Sequence, residues 1–425
     1  MKIEELHSYF LNTSGVITDT RKIEDNCLFF ALKGENFNGN KFAEEALKKG
    51  AAYAIIDQEE YHTSNKTILV SNTLEALQQL ASYHRKYLNI PIIALTGSNG
   101  KTTTKELINA VLSKKFSTKA TKGNLNNHIG VPITLLSMDN KVEMGVVEMG
   151  ANHLKEIEQL CNIATPDYGY ITNFGKAHLE GFGGVEGVIK GKSELYNHLI
   201  NNHKTVFFNA DDAIQKEKLE NYQKKYGFSA ISASDVKVNL TSADPFVEVL
   251  YKNKAIKSQL IGAYNYTNIA AAITIGCYFK VPTEAIKEAI EAYLPSNNRS
   301  QIIKTRKYKI ILDAYNANPT SMKAALENFS ALKDDHKTVI LGDMFELGPS
   351  AKEEHQIIAD IATGYNFERV FLIGSHFYEA NTQGLKFKDF DAFKKSFQTD
   401  LPTKGTILIK GSRGMALERI LDVLN

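Results

Sequence analysis

The stretch Pro91-Ile92-Ile93-Ala94-Leu95-Thr96-Gly97-Ser98-Asn99-Gly100-Lys101-Thr102 constrains this chain more than any other. The run from Pro91 to Leu95 is apolar without a break, the pattern of a strand buried on both faces of a parallel sheet. A Gly-rich turn follows. From Thr102 onward, Leu107, Ile108, Val111 and Leu112 recur at helical spacing. Strand, glycine turn and helix bring backbone N–H groups together on a phosphate. Gly97 and Gly100 let the backbone approach, Lys101 supplies charge to the terminal phosphates, and the Thr102 hydroxyl suits Mg²⁺. The general P-loop pattern has a glycine six residues before its lysine. Here that position is Leu95.

A chain of 425 residues suggests about three domains. The net charge of +2, from 50 basic and 48 acidic residues, gives no bulk electrostatic case for nucleic acid or a membrane surface. An anionic substrate would need a local basic cluster. No apolar run approaches the ~20 residues that span a bilayer, and Met1-Lys2-Ile3-Glu4-Glu5 has no signal pattern. Cys27, Cys161 and Cys277 stand far apart and read as reduced core residues. These features together lead us to expect a cytoplasmic protein without membrane insertion.

Residues 1–87 read as a separate unit: strand Cys27 to Leu32, helix Lys41 to Lys49, strands Ala52 to Ile56 and Thr67 to Val70, and helix Leu74 to Tyr87. On its loops lie Ser14, the Asp19-Thr20-Arg21 segment and the Lys33-Gly34 turn. Hydroxyls, an arginine and a Lys-Gly turn suit a pyrophosphate or nucleotide head group, and equally a solvated turn.

Residues 88–294 hold the P-loop and further loops. Asn124, Asn126 and Asn127 crowd one segment, as amide partners for a substrate or as turn residues. Met144 to Gly150 reads as a strand ending in Glu148. A carboxylate at the carboxyl end of a parallel strand faces the ligand crevice and is a candidate for Mg²⁺. His178 follows the end of the next strand, Tyr168 to Thr172, and could share metal binding. The segment from Gly184 to Leu199 reads as a helix whose Lys190 and Lys192 suggest a solvated basic face. Asn265 would begin an Ala-rich helix with Asn268 one turn along, placed to read an adenine edge or to cap the helix.

Residues 295–425 follow a segment, Pro295 to Arg299, with linker character. Strands Lys309 to Asp313, Thr338 to Gly342, Arg369 to Ile373 and Thr406 to Lys410 alternate with helices Thr320 to Leu332 and Lys352 to Ala362, predicting a small Rossmann-like sheet. Three loops, beginning at Asp313, Gly342 and Lys410, follow strands and so should share one edge.

These motifs together resemble the Mur ligases, and within them the MurF type, over essentially the whole chain. Thr96-Gly97-Ser98-Asn99-Gly100-Lys101-Thr102 is similar to the Mur-type P-loop, including its missing first glycine. The resemblance implies an α/β protein of three domains: an N-terminal uridine-diphosphate-binding domain, a central P-loop sheet domain and a C-terminal Rossmann-like domain. It implies ATP bound by that loop with Asn265, Asn268, Arg299 and Asp313. It implies two Mg²⁺ ions held by Thr102, Glu148, His178 and a carbamylated Lys192, with Lys101, Glu148, His178 and Lys192 as the catalytic set. Ser14, Arg21, Lys33 and Gly34 would anchor UDP-N-acetylmuramoyl-tripeptide, and Asn124, Asn126 and Asn127 would line its peptide end. Asn316 and Asn318, in the MurF-like run Asp313-Ala314-Tyr315-Asn316-Ala317-Asn318-Pro319, would meet D-alanyl-D-alanine. Two positions depart from the pattern: His128 where the family usually has Glu, and Tyr264 where His is common.

The implied activity is an ATP-driven peptide ligation through an acyl phosphate, in a monomeric enzyme whose third domain closes about a hinge near Pro295. A MurE-type or folylpolyglutamate ligase is one alternative. The ~90 residues ahead of the P-loop argue against the second of these, which begins close to its P-loop. A regulatory P-loop module without ligase chemistry is the other, and the presence of Glu148, His178 and Lys192 argues against it.

Overall fold

In the computed structural model, which describes every residue except Ala233, Ser296, Asn297 and Asn425, strand Ile92–Thr96 lies inside a seven-stranded, all-parallel sheet. Its neighbours are Tyr168–Ile171 on one side and Met144–Glu148 on the other, with Thr118–Ala120 beyond the latter. All five residues of Ile92–Thr96 and of Met144–Glu148 are buried. Alternate side chains enter different cores: Ile92 and Ala94 pack with Val131 and Leu195, whereas Ile93 and Leu95 pack with Leu107, Ile108 and Ile269. Both faces are covered, which is why the sequence reads as an unbroken apolar run.

Strands Thr205–Asn209, Lys225–Ser229 and Val236–Lys237 extend this sheet on the far side of Tyr168–Ile171. A separate antiparallel sheet, Asn239–Ala243, Phe246–Tyr251 and Lys254–Ile261, follows. Neither feature was expected from the sequence. The last strand alternates exposed and buried residues, as a sheet with one solvated face should.

Ahead of the P-loop, four short parallel strands pair in the order Val16–Ile17, Leu28–Phe30, Tyr53–Ile56, Thr67–Leu69. Helix Thr73–Leu88 begins where the Asn72 side chain accepts from the N–H groups of Leu74 and Glu75, and ends at Asn89 in the left-handed region. It packs on helices Gly130–Leu136 and Glu156–Ala164 of the central unit.

The C-terminal sheet runs Gln301–Lys304, Tyr308–Asp313, Gly405–Lys410, Lys337–Gly342, Arg369–Ile373, Leu385–Phe387. Only its first strand is antiparallel. Asp313, Lys410 and Gly342 therefore end three adjacent parallel strands at one edge, as the sequence predicts. Ser296 and Asn297, within the expected linker, lie outside the described residues.

Candidate functional site

Gly97, just past the strand, has φ +141°, and a Cβ there would lie 2.0 Å from Thr172 Oγ1. Gly100, at φ +79°, opens helix Lys101–Leu112, and a Cβ there would lie 2.5 Å from Asn268 Oδ1. Only glycine fits both places. The turn following Tyr168–Ile171 pins the loop between them. The Thr172 hydroxyl donates to Asn99 O at 2.6 Å, the Asn99 N–H to Asn173 Oδ1 at 3.0 Å, and the Ser98 hydroxyl to Gly175 O at 2.8 Å. The first N–H groups of a 12-residue helix thus point into a fixed cradle.

Lys101 folds back over this loop and donates to Gly97 O at 2.7 Å and Ser98 O at 3.2 Å. Burial lowers its pKa; Glu148 opposes that shift and Arg299 adds to it. The Thr102 hydroxyl donates to Glu148 Oε2 at 2.9 Å, and Asn126 Nδ2 donates to Oε1 at 2.8 Å. Glu148 is 1% exposed, with Lys105 Nζ 3.9 Å away. Lys105 escaped the sequence reading, although it sits one helical turn after Lys101.

These groups open onto a cleft of roughly 520 Å³ between the carboxyl edges of the central and C-terminal sheets. Of the residues expected to act, Ser98, Asn99, Gly100, Lys101, Thr102, Asn126, Asn127, Glu148, His178, Asn265, Asn268, Arg299, Asp313, Asn316 and Asn318 line it. Thr96 and Gly97 lie beneath the loop they support.

Three family models divide the chain between them: the catalytic domain of the Mur ligase family at residues 12–85, the Mur ligase middle domain at 95–276, and the Mur ligase glutamate ligase domain at 298–413. The UDP-N-acetylmuramoyl-tripeptide–D-alanyl-D-alanine ligase of Bacillus subtilis is 35% identical, over 96% of this chain and 93% of that protein. The chain belongs to the Mur ligase family. Among solved structures, MurF from Acinetobacter baumannii superposes with a TM-score of 0.87 at 29% identity, over 100% of this chain and 98% of that one. The MurF ligase from Thermotoga maritima in complex with ADP gives 0.85 at 25% identity, over 97% of both chains.

In this Mur ligase, several expected ligand contacts are already engaged within the protein. Asn265 Nδ2 donates to Ile261 O at 2.7 Å, Asn268 Nδ2 to Asn265 Oδ1 at 2.8 Å, and the Thr104 hydroxyl to Asn268 Oδ1 at 2.9 Å. The amide pair thus pins helix Tyr266–Tyr278 to the P-loop helix. Asn127 Oδ1 accepts from the N–H groups of Ile129 and Gly130, which is turn chemistry at the start of Gly130–Leu136. Asn316 Oδ1 accepts from Ala317 N. Asn318 caps helix Pro319–Ala331 through Oδ1, and its Nδ2 donates to Asn99 Oδ1 at 2.7 Å, joining the C-terminal domain to the P-loop. Asn124 is exposed and does not line the cleft.

On the C-terminal side of the cleft, the Arg299 guanidinium lies 3.6 Å over the Tyr315 ring, and its buried Nε has no hydrogen-bond partner among the described residues. Lys410 Nζ meets Asp313 Oδ2 at 2.5 Å, and the Tyr264 hydroxyl meets Ser300 Oγ at 2.9 Å. Tyr315 and Lys410 both stood in quoted motifs without an assigned role. The exposed His128 also borders the cleft.

Lys192 is fully buried, which excludes the solvated face that its spacing from Lys190 suggested. Its Nζ donates to Ala151 O at 2.9 Å and lies 4.9 Å over the Phe182 ring. Burial holds its pKa well below the ordinary lysine value, and Lys101 lowers it further. His178 Nδ1 lies 2.5 Å from Glu346 Oε2, a partner absent from the expected set. Among the described residues, no cluster of three or more His, Cys, Asp and Glu side chains forms a metal site. The Thr102 hydroxyl and the Glu148 carboxylate nevertheless form a buried pair of oxygen donors of the kind Mg²⁺ prefers, so these two residues fit the ion.

The N-terminal candidates lie apart from the cleft. Arg21, 86% exposed at its side chain, pairs with Asp19 at 2.8 Å. Lys33 pairs with Asp57 at 3.2 Å, in a two-stranded hairpin with Gly34. The Ser14 hydroxyl donates to Asp25 O.

Proposed function

We propose that this Mur ligase joins D-alanyl-D-alanine to UDP-N-acetylmuramoyl-tripeptide in the cytoplasm, as a monomer that uses ATP and releases ADP and phosphate. The observation that carries the reading is the full-length likeness to ligases named for this pair of substrates, together with a phosphate loop that shares one cleft with Asn316 and Asn318. In the first step, an oxygen of the tripeptide's terminal carboxylate attacks the γ-phosphorus of ATP and ADP leaves. In the second, the dipeptide amine attacks the acyl carbon, loses a proton, and phosphate leaves.

Both steps bring anions together. Lys101 and the P-loop N–H groups offset that repulsion and hold the phosphates in line. The Thr102 hydroxyl and the Glu148 carboxylate would hold Mg²⁺, with His178 and a carbamylated Lys192 as further ligands. Bound Mg²⁺ supplies charge neutralisation at the transferring phosphoryl group. Lys192 suits carbamylation because that reaction needs a neutral amine: R–NH₂ and CO₂ give R–NH–COO⁻ and a proton. Asn265, Asn268, Arg299 and Asp313 border the space for the base and ribose. Arg21, Lys33, Gly34 and Ser14 anchor the uridine diphosphate, and Asn124, Asn126 and Asn127 approach the peptide. The units 1–87, 88–294 and 295–425 act as anchor, phosphate site and closing domain. Closure keeps water from the acyl phosphate.

Incubation with ATP, D-alanyl-D-alanine and UDP-N-acetylmuramoyl-tripeptide should release phosphate only when all three are present. Preferential ligation of free diaminopimelate or lysine to the UDP-muramoyl-dipeptide would move the protein to the MurE type. ATP hydrolysis indifferent to both acceptors would return it to the regulatory class.

A further inference from the structure

We propose that Glu346 is a positioning residue for His178. Its carboxylate reaches across from the C-terminal domain and accepts a hydrogen bond from the ring's Nδ1–H. The Nε2 lone pair is then the ring's remaining acceptor at the cleft whenever that domain is docked. This deepens the proposed function, which gives His178 its work there.

With Glu346 ionised and the ring neutral, the contact selects one tautomer. Glu346 Oε2 lies 2.5 Å from His178 Nδ1. An ionised carboxylate only accepts, so the ring nitrogen must donate. A neutral imidazole has one N–H, which leaves Nε2 unprotonated.

The backbone is shaped for the same contact. His178 and Glu346 both adopt left-handed conformations, at φ +54° and +62°, which side chains other than glycine rarely take. Glu180 N donates to Glu346 O at 3.2 Å beside them. The loop that delivers Glu346 is fixed from behind. Met344 N donates to His355 Nε2 at 3.0 Å and Phe345 N to Ser412 Oγ at 2.9 Å. The buried Asp343 carboxylate accepts from the N–H groups of His376 and Phe377, both at 3.0 Å. The half-exposed Glu346 side chain is thus delivered to the ring by a fixed backbone. Carboxylate–histidine pairs of this form orient an imidazole for work at its other nitrogen.

The test reads the ring directly. The full-length protein, labelled with ¹⁵N-histidine and without nucleotide, is examined in alkaline buffer by two-bond ¹⁵N–¹H correlation, with His178→Gln identifying the signal. The wild type should show the Nδ1–H tautomer. Glu346→Ala should move His178 towards the Nε2–H form that a free side chain prefers, and Glu346→Asp, one methylene shorter, should move it part of the way. Lys176→Ala breaks another ion pair across the same boundary, Lys176–Glu354 at 2.5 Å, and should leave the tautomer unchanged. Turnover of Glu346→Ala should fall by roughly 10–100-fold at unchanged KM for ATP. An Nε2–H ring in the wild type, an unmoved ring in Glu346→Ala, an equal shift in Lys176→Ala, or a moved ring with full turnover would each overturn the proposal. Absence of ligation in the wild type would refute the proposed function instead, and the tautomer would still be read.

Discussion

Replacing Lys192 with Ala separates a working carbamate from a structural lysine. The side chain is fully buried, so the change removes three methylenes from a packed interior, worth about 2.4 kcal/mol at ~0.8 kcal/mol each. It also leaves the Ala151 carbonyl without its donor, a further ~1–3 kcal/mol. The expected destabilisation is therefore about 3–5 kcal/mol by these two contributions. If Lys192 works as a carbamate, turnover should also fall by at least ~10², the scale of losing one fixed group at the reacting phosphoryl. Phosphate release measured with added formate or acetate should recover part of that loss, because a small carboxylate fits where the carbamate stood. Lys192→Met fills the space without an amine and should be inactive without rescue. The amine also predicts a pH dependence in CO₂-free buffer. Its folded-state pKa is lowered, chiefly by burial, so the unfolded chain binds more protons between that value and the ordinary lysine value of about 10.4. Stability should thus rise with pH across this window and fall as pH drops through it, by up to ~1.4 kcal/mol per pH unit. Lys101 carries the same sign, so Lys192→Met should flatten the slope without abolishing it. A folded Lys192→Ala with near-wild-type turnover, or a Lys192→Met slope equal to the wild type's, would refute the reasoning.

Lys101→Ala should reduce ATP turnover by ~10²–10³ or more in a protein of unchanged circular dichroism, because the developing charge loses its nearest fixed cation; turnover within a few-fold of wild type would exclude the phosphate role. Arg21→Ala should raise KM for the UDP-muropeptide and leave that for ATP in place, since Arg21 is solvent-exposed and lies apart from the cleft; equal effects in steady-state kinetics would count against the N-terminal anchor. Gly97→Ala should lower stability by about 2–4 kcal/mol, combining a left-handed backbone with overpacking against Thr172. Thr172→Ala should recover part of that in a double-mutant cycle read by urea unfolding, and a single mutant as stable as wild type would contradict the close approach.

The phosphate loop was legible because its signals are local. An apolar run, two glycines and a Lys-Thr pair all fall within a dozen residues of Ile92. For Lys192 the spacing from Lys190 and the family resemblance pointed in opposite directions. Set beside Lys190 it looks solvated, but Val188, Lys192, Leu195 and Leu199 share one helical face, and all four are fully buried. That spacing could have placed the amine inside. The Asn265 and Asn268 pair was legible in its spacing, but its completion by Thr104, from a helix more than 160 positions earlier, was not. The strands between Thr205 and Ile261 went unread, although Phe246-Val247-Glu248-Val249-Leu250-Tyr251 alternates as a strand should. Asn318 shows the limit most clearly. Its motif marked it as important, but one half of its amide caps a helix and the other meets Asn99, 219 positions away. No periodicity encodes a contact of that separation.

Contacts of this long-range kind are what the proposed two-step reaction needs. Across the boundary between the P-loop unit and the C-terminal domain run Asn318 to Asn99, the Lys176 N–H to Thr320 Oγ1, Lys176 to Glu354, His178 to Glu346, and Glu180 N to Glu346 O. A net hydrogen bond contributes ~0.5–1.5 kcal/mol, and a partly exposed ion pair ~0–1 kcal/mol. The set together therefore amounts to only a few kcal/mol. That is close to the ~5.5 kcal/mol that carries a two-state equilibrium from one percent to ninety-nine. In the proposed reaction, contacts of this strength would help hold the domains over an acyl phosphate that water would destroy, and would still let them open to admit a dipeptide and release product. Four of the boundary's members, Asn99, His178, Asn318 and Thr320, line the cleft itself. In the proposed reaction, docking the C-terminal domain would thus act on the phosphate loop and on the histidine ring at once, making closure and readiness for chemistry one event.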